Sequence, residues 1–297
     1  MEKIDLPKSF IITADWHLRS TVPSCLDYTQ DEWINLQKEA VNKVVEIAIS
    51  KRIPIFIVGD IFHSDITTSF EMIQIVQDAA IKLEKYGLSL SVLFGNHDLK
   101  YHNSENVKKS PLGILTKSKN INLLSVYKNV SAANFDEKDD ETAEYVFKHV
   151  LTMPSNEVPD FMDCETPESL LKKFGNSKLV ALGDYHRYFE YHLDGRNVIN
   201  PGCLTIQASD FEGYEPSVFV IDTDENTTER IEIGIDYVFN HNGEIKKELD
   251  QGIEDFVNHI KKQDVTLDYV TSLKNAASSY DEAIQKKILS WITRSGN

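Results

Sequence analysis

The N-terminal third of the chain alternates short apolar runs with longer amphipathic segments, and this alternation restricts the fold more than any other feature. Apolar runs at residues 10–15, 53–60 and 88–96 have the length and composition of buried strands. Segments at residues 31–51 and 69–87 place apolar residues at helical spacing. The order strand, helix, strand, helix, strand predicts a sheet with a parallel core.

The later part of the chain predicts a second layer. Further apolar runs that have the character of buried strands occur at residues 145–150, 178–184 and 216–224. From about residue 185 the strands follow one another closely with turn residues between them, which predicts a second, more antiparallel sheet. The predicted fold class is therefore α/β, with two stacked mixed β-sheets flanked by helices. Helical spacing in a polar context predicts a main domain at residues 1–240 and a small helical C-terminal extension at 241–297.

Composition limits the classes of function. The 297 residues are 41% hydrophobic and 26% charged, which is typical of a folded globular protein, and the net charge of −16 argues against a broad basic surface for nucleic acid. A metal-assisted nuclease remains compatible with that charge, because bound cations restore local positive charge. The three cysteines form no CxxC pattern, and no secretion signal or membrane-length apolar stretch is present. We expect a cytoplasmic protein without a membrane partner.

Residues with metal-ligand chemistry follow the predicted strands. They are Asp15 and His17 after the first strand, Asp60 and His63 after the second, Asn96, His97 and Asp98 after the third, and then His149, Asp184 and His186. Ligand sites of open α/β sheets lie beyond the carboxyl ends of the strands, so we expect these side chains to meet. Asp15 and His17, two residues apart, are expected to point to the same side of an extended segment.

The types of side chain in this set indicate a particular chemistry. Carboxylate, imidazole and amide groups together suit Mn²⁺, Zn²⁺ or Fe²⁺, and paired ions are a common device for phosphoester hydrolysis. Each motif alone has an ordinary explanation, since Asp-x-His arises by chance, Gly-Asp is a common turn, and His149 could be a hydrogen-bonded core histidine. The order of all the motifs along the chain is what predicts a metal site.

The same motifs resemble a known superfamily. The segments "ADWHL", "VGDIFH", "FGNHD", "ALGDYHRY" and "NPGC" are similar to those of the calcineurin-like metallophosphoesterases, over about residues 8–223. Within that superfamily the chain looks most like the SbcD-type nuclease subunits of double-strand-break repair complexes. The Phe-His pair after Gly-Asp, the early position of Asp-x-His and the "VINPGC" turn favour that branch. The resemblance implies an αββα sandwich.

The resemblance also implies roles for individual residues. It assigns one ion to Asp15, His17, Asp60 and His186, and a second to Asp60, Asn96, His149 and Asp184. Asp60 would bridge the two ions. His97 would stabilise the transition state or protonate the leaving oxygen, Asp98 would orient His97, and His63 would approach the scissile phosphate.

The chain departs from the family pattern at one position of the site. The family usually has Gly-His-x-His where this sequence has Gly183, Asp184, Tyr185 and His186. A carboxylate in place of an imidazole favours Mn²⁺ or Mg²⁺ over softer ions. The segment between Asn96 and His149 is also short for the nuclease branch. The C-terminal extension is therefore expected to be a reduced capping region or a partner-docking region rather than a full DNA-binding cap.

These observations lead to one preferred function and two alternatives. The preferred function is a Mn²⁺-dependent DNA exonuclease or endonuclease of DNA repair or recombination, acting with an SMC-like ATPase, and the resemblance implies a homodimer. The first alternative is a phosphatase or a cyclic or small-molecule phosphodiesterase of the same superfamily. The second is a catalytically weak scaffold subunit in which Asp184, in place of the histidine of the family, weakens metal binding at one of the two positions.

Overall fold

The computed structural model of the chain describes residues 3–64, 68–135, 137–159 and 164–240. The predicted helical extension at 241–297 lies outside the described residues. Among the helices that are described, none combines the length and the apolar character needed to cross a bilayer.

The described residues form eleven strands and four α-helices. The strands are β1 (Ser9–Thr13), β2 (Ile55–Val58), β3 (Leu90–Leu93), β4 (Ile121–Leu123), β5 (Val130–Ala133), β6 (Tyr145–His149), β7 (Leu179–Gly183), β8 (Phe189–Leu193), β9 (Arg196–Asn200), β10 (Ser217–Asp222) and β11 (Thr227–Glu232). The helices are α1 (Gln30–Lys51), α2 (Phe70–Glu84), α3 (Pro111–Leu115) and α4 (Pro167–Lys173).

The strands form two mixed sheets. The first sheet has the order β11-β10-β1-β2-β3-β4, in which β1 to β4 are parallel and β10 and β11 are antiparallel to their neighbours. The second has the order β5-β6-β7-β9-β8, in which only β8 is antiparallel. The prediction of two mixed sheets flanked by helices, with a parallel core from the first three strands, is confirmed.

The expected allocation of the late strands was wrong. We expected the strands after residue 185 to form a second, more antiparallel sheet, but β10 and β11 join the first sheet, and β8 and β9 join the parallel strands β5, β6 and β7 in the second. The physical reason is that β10 has mostly buried residues and needs a neighbour on each side. It lies between β11 and the otherwise open edge of β1, where Ile11 pairs with Val220.

Aromatic residues fill the space between the sheets. The rings of Phe10 and Phe56 stack with their centroids 4.5 Å apart, and Phe147 of the second sheet meets Phe10 edge-on at 6.0 Å. Helices α1 and α2 pack on the outer face of the first sheet, and α4 packs on the outer face of the second. This packing fixes the strands, so the loops at their carboxyl ends start from rigid positions.

Helix α1 begins and ends at well-defined caps, and two of its buried residues contact the loop that follows β1. Thr29 and Glu32 form a reciprocal capping box at its start, and Arg52 ends it in a left-handed conformation. Trp33 and Gln37 are fully buried on the first two turns, facing the loop that follows β1.

Candidate metal centre

The loops that follow β1 and β2 are joined by backbone hydrogen bonds. The N–H of Asp15 donates to the carbonyl of Gly59 at 3.1 Å, and the N–H of His17 donates to the carbonyl of Asp60 at 3.0 Å. These bonds continue the parallel pairing past the ends of the strands, so the two loops lie side by side.

Four of the candidate ligands have a backbone conformation that side chains rarely adopt. The φ angles are 50° at Asp15, 46° at His17, 52° at Asp60 and 92° at Asp184. Such conformations cost on the order of 1–3 kcal/mol each and concentrate at functional sites. The expectation of an extended Asp15–His17 segment was wrong, yet the two side chains still converge, with Nε2 of His17 3.9 Å from Oδ1 of Asp15.

His17, His186 and Asp15 form the first group of potential ligands. The Nε2 atoms of the two histidines are 2.9 Å apart. Burial lowers the pKa of His17 well below its ordinary value and also lowers the pKa of His186. Both rings therefore favour the neutral state, in which imidazole nitrogens bind metals.

His149, Asp60 and Asn96 bring acceptor atoms together. A carbonyl only accepts, so Nδ1 of His149 donates to the carbonyl of Val58 at 2.9 Å, and Nε2 of the neutral ring is an acceptor. That Nε2 faces Oδ1 of Asn96 at 3.0 Å and Oδ2 of Asp60 at 3.3 Å. Oδ2 of Asp60 is buried and has no hydrogen-bond partner among the described residues. The oxygens that face Nε2 are therefore stabilised by positive charge, which either a proton on Nε2 or a bound cation supplies.

The ionisation of the second group leads to the same conclusion. Burial by itself would lower the pKa of His149, but the carboxylates of Asp60, Asp15 and Asp184 outweigh it and raise that pKa well above its ordinary value. Burial raises the pKa of Asp15, and burial would also raise that of Asp60, but His149 and the neighbouring imidazoles lower the pKa of Asp60 instead. The site therefore attracts positive charge, and its oxygen and nitrogen atoms fit two divalent cations.

Two carboxylates lie between the two groups. Oδ2 of Asp60 is 3.7 Å from Nε2 of His17 and 3.3 Å from Nε2 of His149, the position predicted for a bridging ligand. Asp15 also has an oxygen within reach of both groups, which the sequence did not indicate. Asp15 reaches both groups because β1 lies beside β2, while the backbone N–H of Asp184, directly after β7, holds its carboxylate.

Asp184, the residue that departs from the family pattern, lies at the outer side of the site. Its Oδ1 is 3.8 Å from Nε2 of His149, and its side chain is 30% exposed. Its backbone N–H donates to both carboxylate oxygens of Asp15, at 3.0 and 3.2 Å. The backbone of Asp184 therefore holds Asp15, while a ligand role for its carboxylate stays a prediction.

Asp98 does not make the hydrogen bond to His97 that the sequence suggested. Its two carboxylate oxygens accept the backbone N–H groups of Ile61, Phe62 and Gly95, at 3.0 to 3.3 Å. Burial and the Asp60 carboxylate raise the pKa of Asp98 to about 7. The prediction that Asp98 orients the His97 ring was wrong, because Asp98 instead ties the loop after β2 to the loop after β3.

His97 is oriented by other groups. Its Nδ1 donates to the backbone carbonyl of His63 at 2.8 Å, and its backbone N–H donates to Oδ1 of Asp60 at 2.9 Å. The rings of His97 and His63 stack with centroids 5.6 Å apart, and the ring of His17 contacts both edge-on. Both residues predicted to face the substrate thus lie beside the first ligand group.

Sequence reasoning missed a residue that supports His186. The side-chain amide of Asn200, at the end of β9, donates to the backbone carbonyls of Tyr185 and Arg187, one residue to either side of His186. The N–H of Cys203 donates to the carbonyl of His186 at 2.9 Å. The signal in the sequence is the asparagine of "VINPGC", although the motif by itself indicates only a turn.

Gly95 provides a first prediction about the site. A Cβ at Gly95 would lie 2.1 Å from Oδ1 of Asp60, whereas a Cβ at exposed Gly175 would meet nothing within 4 Å. Gly95→Ala should therefore displace the Asp60 carboxylate and weaken binding of Mn²⁺ by about 10- to 100-fold, as loss of a group that orients a ligand does. Calorimetric titration with Mn²⁺ measures this, with Gly175→Ala as the matched control. Equal affinity in both variants would contradict the placement of Asp60 at the centre of the site.

A surface cavity of about 280 Å³ lies next to His186 along the chain. Its walls include Arg187, Tyr188, Tyr214 and Arg230, together with three glutamates. The guanidinium of Arg230 lies 3.5 Å from the centre of the Tyr188 ring, and that of Arg187 lies over the ring of Phe211. The Phe211 ring also lies 6.3 Å from the ring of His186, so this cationic and aromatic pair adjoins one candidate ligand.

Comparison with known proteins identifies one matching family. The family described as calcineurin-like phosphoesterase matches residues 8–201, a segment that contains every candidate ligand. No curated protein sequence matches the chain.

Several solved structures match at low sequence identity. One described as a novel archaeal phosphodiesterase is 17% identical, with 75% of this chain and 99% of that chain covered and a TM-score of 0.39. A putative 5'-nucleotidase from Staphylococcus aureus is 13% identical, with 95% of this chain and 58% of that chain covered and a TM-score of 0.45. A dimetal phosphatase from Danio rerio is 11% identical, with 77% and 99% covered and a TM-score of 0.42.

Proposed function

Because the chain belongs to the calcineurin-like phosphoesterase family, we propose that it is a dinuclear metal-dependent phosphoesterase that cleaves phosphodiester bonds in DNA. The observation that carries the metal part of this proposal is the convergence of buried carboxylate and imidazole atoms in two adjoining groups, Asp15 with His17 and His186, and Asp15 with Asp60 and His149.

The proposed ligand sets follow the two groups of side chains. One ion is bound by Asp15, His17, Asp60 and His186, and the other by Asp60, Asn96, His149 and Asp184. A mixture of hard oxygens and neutral imidazoles supports Mn²⁺, and Mg²⁺, Fe²⁺ or Zn²⁺ are compatible with the same atoms. Bound in this way, two divalent ions would supply Lewis-acid polarisation of the phosphate and neutralise its developing charge.

The chain's own residues contribute orientation and proton transfer. The His63 carbonyl and the Asp60 carboxylate hold His97 at its Nδ1 and at its backbone, which leaves Nε2 as the atom that gives up or accepts a proton. A protonated Nε2 would donate to the leaving oxygen of the substrate. The buried backbone bonds of Asp98 keep the His97 loop in place during this step.

DNA is the proposed substrate, and repair or recombination the proposed setting. The motif resemblance to the SbcD-type nuclease branch supports it, and so does the cavity with Tyr188 and Arg187, because aromatic rings and guanidinium groups stack on nucleobases. With a net charge of −16 the chain has little general attraction for DNA, so an SMC-like ATPase partner would supply much of the DNA binding. We further propose that the chain forms a homodimer and that residues 241–297 bind to that ATPase partner.

A phosphatase or small-molecule phosphodiesterase is the second candidate. The observation that favours it is the same negative charge, which suits a small substrate better than a polyanion. A catalytically weak scaffold is the third, favoured by the outer position of Asp184. About two tightly bound ions per chain would argue against the scaffold, and none at saturating metal would support it.

A substrate panel tests the proposed function. The purified chain is incubated with linear DNA, bis(p-nitrophenyl) phosphate and p-nitrophenyl phosphate, each with Mn²⁺, Mg²⁺ and Zn²⁺. We expect DNA cleavage with Mn²⁺, and turnover of the diester at least about tenfold above the monoester. Asp60→Asn protein prepared in parallel excludes a contaminating nuclease. Monoester turnover far above that of the diester and DNA would favour the phosphatase and overturn the nuclease proposal.

A further inference from the structure

Arg19, two residues after His17, has an unusually well-fixed backbone. The side-chain amide of buried Gln37 accepts the N–H of Arg19 and donates to its carbonyl, both at 2.9 Å. The indole N–H of Trp33 donates to the same carbonyl at 2.9 Å. Three hydrogen bonds from α1 therefore set where the Arg19 side chain starts.

The guanidinium of Arg19 is half-buried and makes no ion pair with any described residue. Its Nη1 donates to Nε2 of His63 at 3.0 Å, and its Nε is buried and has no partner among the described residues. No carboxylate of the described part of the chain lies within ion-pair distance of it, although the chain carries 47 acidic residues. A cation held out of water normally has an anionic partner, so its absence here indicates a place for an anion from outside the chain.

The position of Arg19 indicates which anion would bind there. Arginine is always a donor in its hydrogen bonds, so Nε2 of His63 is the acceptor, and the guanidinium lies at the Nε2 edge of the His63 ring. That ring stacks on His97 and meets the ring of His17 at 5.5 Å. The His63 ring therefore lies between the guanidinium and His17, a candidate ligand. A phosphate group bound at the metal centre would present its outer oxygens at this distance from His17.

We propose that Arg19 binds a non-bridging oxygen of the substrate phosphate, with the hydrogen bond to His63 aiming the guanidinium. The inference rests on the proposed function, because it names a substrate contact of that same site. Arginine matches phosphate with paired donors in a fixed plane, which lysine does not. The contact gives an acidic chain one localised positive charge at the point where its substrate enters.

Binding of inorganic phosphate to the full chain tests the contact directly. Calorimetric titrations compare the wild type with Arg19→Ala and Arg19→Lys, each with and without Mn²⁺. Arg19→Ala should weaken phosphate binding by about 10- to 100-fold, the usual effect of losing charge-assisted hydrogen bonds, and Arg19→Lys should restore part of the loss. Arg196→Ala is the matched control, because Arg196 is also half-buried but donates to the backbone carbonyl of Leu171.

A double mutant separates phosphate binding from a purely supporting role. If Arg19 only positions His63, adding Arg19→Ala to His63→Ala would change nothing further. We expect the second substitution to weaken phosphate binding again. Unchanged phosphate affinity in Arg19→Ala, or in the double mutant relative to His63→Ala, overturns the inference.

The outcomes also separate this inference from the proposed function. A wild-type chain that binds Mn²⁺ and hydrolyses diesters, with phosphate affinity independent of Arg19, would overturn the contact alone. A wild-type chain that neither binds metal nor hydrolyses any ester would overturn the proposed function, and phosphate affinity that depends on Arg19 would still support the contact. Absence of phosphate binding to the wild type under both conditions overturns the contact.

Discussion

Asp60→Asn is expected to lower phosphodiester turnover on the order of a thousandfold or more and to remove most of the bound metal. Asn has nearly the same shape, so its oxygen can still accept the backbone N–H of His97. What it removes is the negative charge at the atom that faces both His17 and His149. Both ions would lose a charged ligand at once, and of the two carboxylates within reach of both groups only Asp15 would remain.

Metal analysis and thermal unfolding check this expectation together. Wild-type protein should gain melting temperature on addition of Mn²⁺, because a ligand that binds only the folded state stabilises it. Asp60→Asn should lose that gain while the metal-free protein stays folded, since the substitution also relieves the repulsion of Asp60 with the buried carboxyl groups of Asp15 and Asp98. Asp224→Asn, at an exposed ion pair with Lys8, is the control and should behave as the wild type does. Two ions retained in Asp60→Asn would show that Asp60 is not the shared ligand.

The meeting of the candidate ligands could be predicted from the sequence because the relevant signals are local. Apolar runs identified β1, β2 and β3 of the first sheet and β6 and β7 of the second. Because these strands pair in parallel within each sheet, the polar residues at their ends had to collect at one edge of each sheet. The family-level expectation is confirmed by the match to residues 8–201. The SbcD-type branch stays a prediction.

What the sequence did not predict depends on contacts between distant segments. The pairing of β10 with β1 joins residues more than 200 positions apart, and no local pattern specifies which sheet a late strand enters. Asp98 follows His97 directly, which suggested a bond between them, but the backbone N–H groups that Asp98 accepts are invisible in a string of side chains. The left-handed backbone at Asp15 and His17 is equally hidden, because both residue types also occur in extended segments.

His97→Gln carries the second large expected effect, a loss in kcat of about 10²- to 10³-fold on DNA with both ions still bound. The backbone N–H of residue 97, which Asp60 accepts, is unaffected by the substitution, so the ligand groups keep their positions. The lost function is a proton donor held by the His63 carbonyl at Nδ1. We expect KM to change little, because the proton is needed in the transition state rather than in the bound ground state.

The leaving group tests whether His97 acts as that proton donor. A DNA alkoxide requires a proton as it departs, whereas p-nitrophenolate is a stable anion and requires almost none. His97→Gln should therefore retain most of its activity on bis(p-nitrophenyl) phosphate while losing it on DNA, with equal metal content in both assays. A uniform loss on the two substrates would mean that His97 stabilises charge or positions the phosphate instead. Comparing the two substrates separates the role of the His97 imidazole from that of the metal centre, because loss of metal ions would lower the rates on both substrates together.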